Sequence, residues 1–179
     1  AASAKITIQG RNIHPGYAKD KMLNAILIGM ELNELLPVNE RPEFTTGYEG
    51  FFHLTKFDGT VEKAAFQYII RDHDHAKFEK KKVLIQDAVD YINKKYRDKT
   101  AVLELKDQYF NMREKVEPEF HIVEAAVQAM EELNIKPLVV PIRGGTDGSR
   151  LSYMGLPCPN IFAGEHALHQ GAQHPRAGW

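Results

Sequence analysis

From Ala4 to Gln9 apolar and polar positions alternate, with Ile6 and Ile8 set between Lys5, Thr7 and Gln9. A period of two marks a strand with one buried face. Pro15 and Gly16 break the pattern. Between Ala18 and Leu36 the period lengthens: Met22, Leu23, Ile26, Leu27 and Met30 keep helical spacing, and Pro37 ends the run. Residues 37–50 read as a loop by composition. Two apolar segments around an Asp58-Gly59 turn signal predict a hairpin, with Phe66, Tyr68 and Ile70 on one face of its second strand. A second helix is predicted from Ala76 to Arg97, with Phe78, Ile85, Ala88, Val89, Ile92 and Tyr96 on one stripe. Residues 101–110 alternate again, with Leu103 and Leu105 inward.

The order β-α-β-β-α-β predicts a ferredoxin-like unit over about the first 110 residues, two helices on one face of a four-stranded antiparallel sheet. The grammar then changes. A helix near Pro118 carries Ile122, Val123, Ala126, Val127, Met130 and Leu133. The apolar run "PLVVPI" reads as a strand, followed by a glycine loop, a short helix and a second strand at "NIFAG". This is α/β patterning, which implies a parallel sheet covered on both faces. Two strands do not complete such a sheet, so the second part reads as a piece of a larger domain. The expected fold class is α/β, an α+β ferredoxin-like unit (1–112) followed by a partial α/β domain (113–179).

Composition narrows the classes of function. The 179 residues are 43% hydrophobic and 26% charged, ordinary for a globular chain, and the net charge of −1 gives no electrostatic reason to expect nucleic acid or an anionic membrane. No apolar run approaches the roughly 20 residues of a spanning helix. "AASAKITIQG" lacks the charged start and apolar middle of a signal peptide. Cys158 is the single cysteine, so no intramolecular disulfide forms and a reducing compartment fits. The expectation is a cytoplasmic protein with no nucleic-acid or membrane partner.

Four stretches could carry chemistry. In "IRGGTDGSRLSYMG", Arg143 supplies a planar guanidinium suited to a carboxylate, the glycines permit close backbone approach, and Thr146 or Asp147 can cap the helix that follows. Such a strand-loop-helix can hold the carboxylate or carbonyl of a small acyl compound, or be merely a tight turn. His14, in "RNIHPG", could donate to an oxyanion, although a surface turn is the plainer reading. In "YIIRDHDH" adjacent residues point to opposite faces and cannot share one ion, and Asp74 is expected to cap the next helix. Arg71 ends that apolar strand, where a charge needs a partner or a ligand. His166 and His169 have a spacing that permits shared metal ligation without demanding it. Cys158, between Pro157 and Pro159, reads as a packed thiol.

Taken together, "NIHPGYAKDKMLNA", "TTGYEGFFHL", "YIIRDHD", "YFNMREKV" and "PIRGGTDGSRLSYMGLPCPNIFAG" resemble the tripeptide aminopeptidases (peptidase T) of the zinc-dependent di-metal exopeptidase family. The resemblance runs to about His169. It implies a catalytic α/β domain with two zinc ions and an inserted ferredoxin-like lid that mediates homodimerisation. Residues 1–112 then correspond to the lid and 113–179 to the C-terminal portion of the catalytic domain. The resemblance further implies that His14 reaches an active site, the partner subunit's, to steady the substrate carbonyl. Arg71 would meet the tripeptide substrate, and Arg143, Gly144, Gly145 and Thr146 would hold its C-terminal portion. His169 aligns with a ligand of the second zinc.

In that family most zinc ligands and the glutamate base precede the lid, and this chain begins at the lid, without a His-x-Asp motif. Glu131-Glu132 sits on the solvent side of its predicted helix. The tail "HQGAQHPRAGW" also departs from the family pattern. The expectation is a partial chain, inactive alone. A non-catalytic dimerisation module, and a related enzyme acting on dipeptides or acylated amino acids, are the alternatives.

Overall fold

The structure is a computed structural model and describes residues 1–140 and 142–161. Four strands form one antiparallel sheet in the order β2-β3-β1-β4: β1 (Ala2–Gln9), β2 (Phe51–Gly59), β3 (Lys63–Arg71) and β4 (Ala101–Asp107). Helices α1 (Ala25–Glu34) and α2 (His75–Lys95) pack on one face of it. The ferredoxin-like order is therefore observed. In β1 the buried residues are Ala2, Ala4, Ile6 and Ile8, and in β3 Phe66, Tyr68 and Ile70 share the same core. Helix α2 contributes Phe78, Ile85, Ala88, Val89 and Ile92, as its periodicity predicts.

Helix α1 is shorter than predicted and buries a different face. Asn24 caps it, its side chain accepting from the backbone N–H of Ile26 and Leu27. Ala25, Ile28, Gly29 and Leu32 face the core, while Leu27 and Met30 are exposed. The helix is apolar on several sides, so spacing alone does not choose its face. Gly29 chooses it: a methyl group there would lie 2.0 Å from Cζ of Phe66, so the ring occupies the space a side chain would need.

The hairpin turn also falls later than Asp58-Gly59. Both residues pair with β3, and Thr60 closes the turn by donating its N–H to the Lys63 carbonyl at 2.7 Å. The Val61 and Glu62 carbonyls accept from the N–H groups of Ala25 and Gly10, which ties the turn to the start of α1 and the end of β1. On β4, Leu103 is half-buried as expected, but Leu105 is exposed. It faces the same side as its partner Ala4 but lies on the edge strand of the sheet.

After β4 come α3 (Arg113–Val116), a single 3-10 turn containing Pro118, and α4 (His121–Glu132). Asn134, in the left-handed region at φ 57°, ends α4, and the Ile135 N–H returns to the Met130 carbonyl. Of the predicted apolar stripe, Ile122, Val123, Ala126, Val127 and Met130 are half-buried, whereas Leu133, just past the helix end, is exposed, and Glu131 and Glu132 face solvent. In the apolar run predicted as a strand, residues 137–140 do not form one: Leu138, Val139 and Val140 are more than half exposed. Strands require a neighbouring backbone, and none of the described residues runs beside this one. The second predicted strand, "NIFAG", lies mostly outside the described residues. Helix α5 (Asp147–Tyr153) follows the glycine loop.

Candidate functional site

Arg71 is the last residue of β3 and pairs across the sheet with Phe51, the first of β2. Its Nη1 donates to the carbonyl oxygen of Arg143 at 2.6 Å. The charge at the strand end thus finds its partner in the second half of the chain. Arg143 reaches back: Nη1 donates to the Thr45 carbonyl at 2.6 Å, and Nη2 to Thr45 Oγ1 at 2.8 Å and the Glu49 carbonyl at 3.0 Å. Both guanidiniums lie near the buried Phe51 ring, at 5.8 Å for Arg71 and 5.3 Å for Arg143.

No carboxylate neutralises this pair among the described residues. Glu49 offers only its backbone carbonyl, because its side chain accepts from the Thr46 N–H at 2.7 Å. The Nε atoms of Arg71 and Arg143 are buried without an acceptor among the described residues. Two cations held together by carbonyls and an aromatic face are suited to receive an anion.

The glycine loop closes this cluster from the other side. Gly144 is exposed with open space around it, and Gly145 lies against the Tyr109 ring, where a methyl group would come within 2.6 Å of Cε1. Thr146 stands at the N-cap of α5, but its hydroxyl does not cap the helix as predicted. It accepts instead from Asn160 Nδ2 at 3.2 Å and lies 3.5 Å from Ser149 Oγ. Cys158 is half-buried, its N–H donating to Ser152 Oγ, in keeping with a packed thiol.

The residues of "RDHDH" do diverge. Asp74 caps α2 through the Lys77 N–H at 2.8 Å. The ring of His73 lies between the carbonyls of Tyr48 and Ile142, at 3.3 and 3.2 Å. The Asp72 carboxylate is 3.7 Å from the buried Lys81 ammonium, which also pairs with Glu40. Among the described residues no three metal-ligating side chains stand close enough to hold an ion. His166 and His169 lie outside the described residues.

His14 stands apart. It follows β1, whose last residue, Gln9, pairs with Lys63, whereas Arg71 is eight residues further along β3, about 25 Å from Lys63 at the rise of a strand. Its Nδ1 accepts the Gly16 N–H at 3.2 Å, and the ring packs 5.6 Å from that of Tyr17. That bond leaves the proton of the neutral ring on Nε2, on an exposed side chain. The structure thus gathers Arg71, Arg143 and Gly145 at one end of the sheet and leaves His14 at the other. Sequence reasoning missed Phe51, Thr45, Glu49 and Tyr109. Only Phe51, aromatic and directly across from Arg71, could have been found from the pairing of the hairpin.

The family model of the peptidase dimerisation domain matches residues 1–100. The chain belongs to this peptidase dimerisation family. Its curated relatives include Peptidase T of Clostridium novyi, 59% identical over 94% of this chain and 42% of the relative. Peptidase T of Caldanaerobacter subterraneus is 61% identical over 94% and 41%. The chain therefore spans about two fifths of the length of these relatives. Among solved structures, aminopeptidase PepT from Bacillus cereus superposes with a TM-score of 0.69 over 87% of this chain and 41% of that one. At 19% identity in the superposition, this likeness speaks for the fold alone. The resemblance drawn from the motifs and the ferredoxin-like fold expected of a dimerisation domain are both borne out.

Proposed function

We propose that the chain is the lid and C-terminal catalytic portion of a tripeptide aminopeptidase, with residues 1–112 as lid and 113–179 as catalytic portion. The identity to Peptidase T across 94% of the chain carries this reading. The geometry supplies the chemistry. Arg71, Arg143 and the Gly144-Gly145-Thr146 loop form a cationic pocket for the carboxyl end of a short peptide. Charge-assisted hydrogen bonds there fix the peptide's register, so that its scissile carbonyl is placed reproducibly. His14, with its Nε2 proton outward, donates to the oxyanion that develops on that carbonyl.

His14 and Arg71 lie too far apart in one chain to touch one short peptide. The reading therefore includes a homodimer in which each lid sends its His14 to the partner subunit. The exposed Leu27 and Met30 on the outer face of α1, and an open edge of the sheet, are surfaces such a dimer would cover. Zinc dependence belongs to the same reading through the family relationship, two ions in the complete enzyme with His169 as one ligand. The described residues do not themselves bring together side chains that would fit a metal ion. No helix among the described residues is long and apolar enough to cross a membrane. A cytoplasmic location belongs to the same reading, with which the lone Cys158 is consistent.

The test is a chimera in which this chain replaces the matching portion of Clostridium novyi Peptidase T. Release of the N-terminal residue from trialanine at a rate near the parent's is expected. A folded, zinc-loaded chimera that leaves trialanine intact while the parent cleaves it would overturn the reading. Faster turnover of dialanine or an acylated amino acid would move the substrate class to the alternative.

A further inference from the structure

Tyr109 follows β4 and faces the arginine cluster. Its ring lies against the backbone of Gly145, where a methyl group would sit 2.8 Å from Cζ and 3.0 Å from Oη. The Arg71 guanidinium is 5.9 Å from the ring centroid. The hydroxyl is buried and has no hydrogen-bond partner among the described residues. A phenylalanine would fill the same space against Gly145 without the cost of burying an unsatisfied polar group. Burial raises the phenol's pKa above its usual 10, against the opposing Arg71 charge, so the hydroxyl keeps its proton and acts as a donor.

The Nε–H groups of Arg71 and Arg143 are likewise buried without acceptors. These three donors have no acceptor among the described residues and stand on elements that meet at the glycine loop, whose Gly144 is open; an anion with more than one oxygen would satisfy more than one of them.

We propose that Tyr109 is a substrate-binding residue whose hydroxyl donates to the free carboxylate of the bound peptide, alongside Arg71. This rests on the reading of the cluster as the pocket for the peptide's carboxyl end, and adds a residue that nothing in the motifs assigns. It also gives Gly145 a reason: only a residue without a side chain lets the ring stand where its hydroxyl shares one ligand with Arg71.

The experiment is calorimetric titration of the chain with trialanine and with trialanine amide, for the parent, Tyr109→Phe and Arg71→Ala, together with melting curves without ligand. Tyr109→Phe is expected to weaken trialanine binding roughly 10-fold, the loss of one hydrogen bond to a charged group. It should leave the amide's affinity unchanged, and melt no lower than the parent. Equal affinity of parent and Tyr109→Phe for trialanine, with Arg71→Ala weakened, would overturn the role of Tyr109 and leave the pocket standing. A parent that does not distinguish trialanine from its amide, or binds neither, would overturn both. A lower melting temperature for Tyr109→Phe would show that the hydroxyl serves the fold, and would also overturn the proposal.

Discussion

Arg71 donates to the backbone carbonyl of Arg143 across 72 residues of sequence, and the two guanidiniums share the ring of Phe51. The contact ties the last residue of the sheet's second strand to the first residue of the glycine loop. It leaves both arginines charged without a counter-ion among the described residues. Arg71→Lys keeps the charge but not the planar fork, which alone can reach the Arg143 carbonyl while lying along Phe51. In the chimera this substitution is expected to raise KM for trialanine at least 10-fold, the scale of one lost charge-assisted bond, with kcat changed much less. Steady-state kinetics checks it; a kcat loss at constant KM would move Arg71 out of ground-state binding.

The sequence showed that Arg71 needed a partner, since it ends an apolar strand, and for Arg143 it offered either a carboxylate ligand or merely a tight turn. It did not show that Arg143 would spend both terminal nitrogens on Thr45 and Glu49, because that pairing joins residues more than 90 positions apart. The ferredoxin-like order was readable because β1, β3 and α2 each bury one clean face. Helix α1 misled because several of its faces are apolar, and the choice rests on one glycine meeting one ring. The run 137–142 reads as a strand from its residues alone, but a strand is a property of two backbones.

Gly29→Ala tests that choice. Within a helix, alanine ordinarily gains about 1 kcal/mol over glycine. Here the added methyl would overlap Phe66, and overpacking of a filled core costs about 1–3 kcal/mol. The variant is expected to melt several degrees below the parent, and Gly29→Ala with Phe66→Leu to recover part of the loss. Thermal unfolding followed by circular dichroism reads both.

Lys81 holds the loop that seats Arg143 to the helix behind it. It pairs with Glu40 and stands 3.7 Å from Asp72, whose side chain is 3% exposed, and its ammonium lies 5.3 Å from the Phe52 ring. Lys81→Met would leave the buried Asp72 carboxylate without its cation, a loss of about 3–5 kcal/mol. Adding Asp72→Asn removes the stranded charge and should restore most of the stability. Urea unfolding of the single and double variants separates this from a simple loss of packing, which the second substitution would not repair.

Glu31 links α1 to α2, accepting from Lys95 at 2.5 Å and from Tyr96 at 2.6 Å. Those two bonds, Lys95's the larger influence, hold its carboxyl below the usual 4.5. A lowered carboxylate pKa stabilises the fold above 4.5, and that contribution is lost as the pH falls through the lower folded value. Glu31→Gln is therefore expected to lower the melting temperature by a few degrees at most at pH 7, since the pair lies at the surface with the Lys95 side chain exposed. The two melting curves should converge as the pH falls well below 4.5. A gap that persists at low pH would assign the effect to packing.

The separation of His14 from Arg71 gives the sharpest test of the dimer. If one site takes Arg71 from one subunit and His14 from the other, His14→Ala and Arg71→Ala chimeras are each impaired alone for different reasons. Mixed after unfolding and refolding together, half of the dimers pair one variant with the other. In each such dimer one site has both residues intact and the second has neither. Recovery of about a quarter of the parent's activity is expected, with two independent sites in a symmetric dimer. If His14 served the site of its own chain, every site in the mixed dimer would lack one residue and no activity would return. Because the length of β3 lies between the two residues, only the first outcome is compatible with one tripeptide touching both.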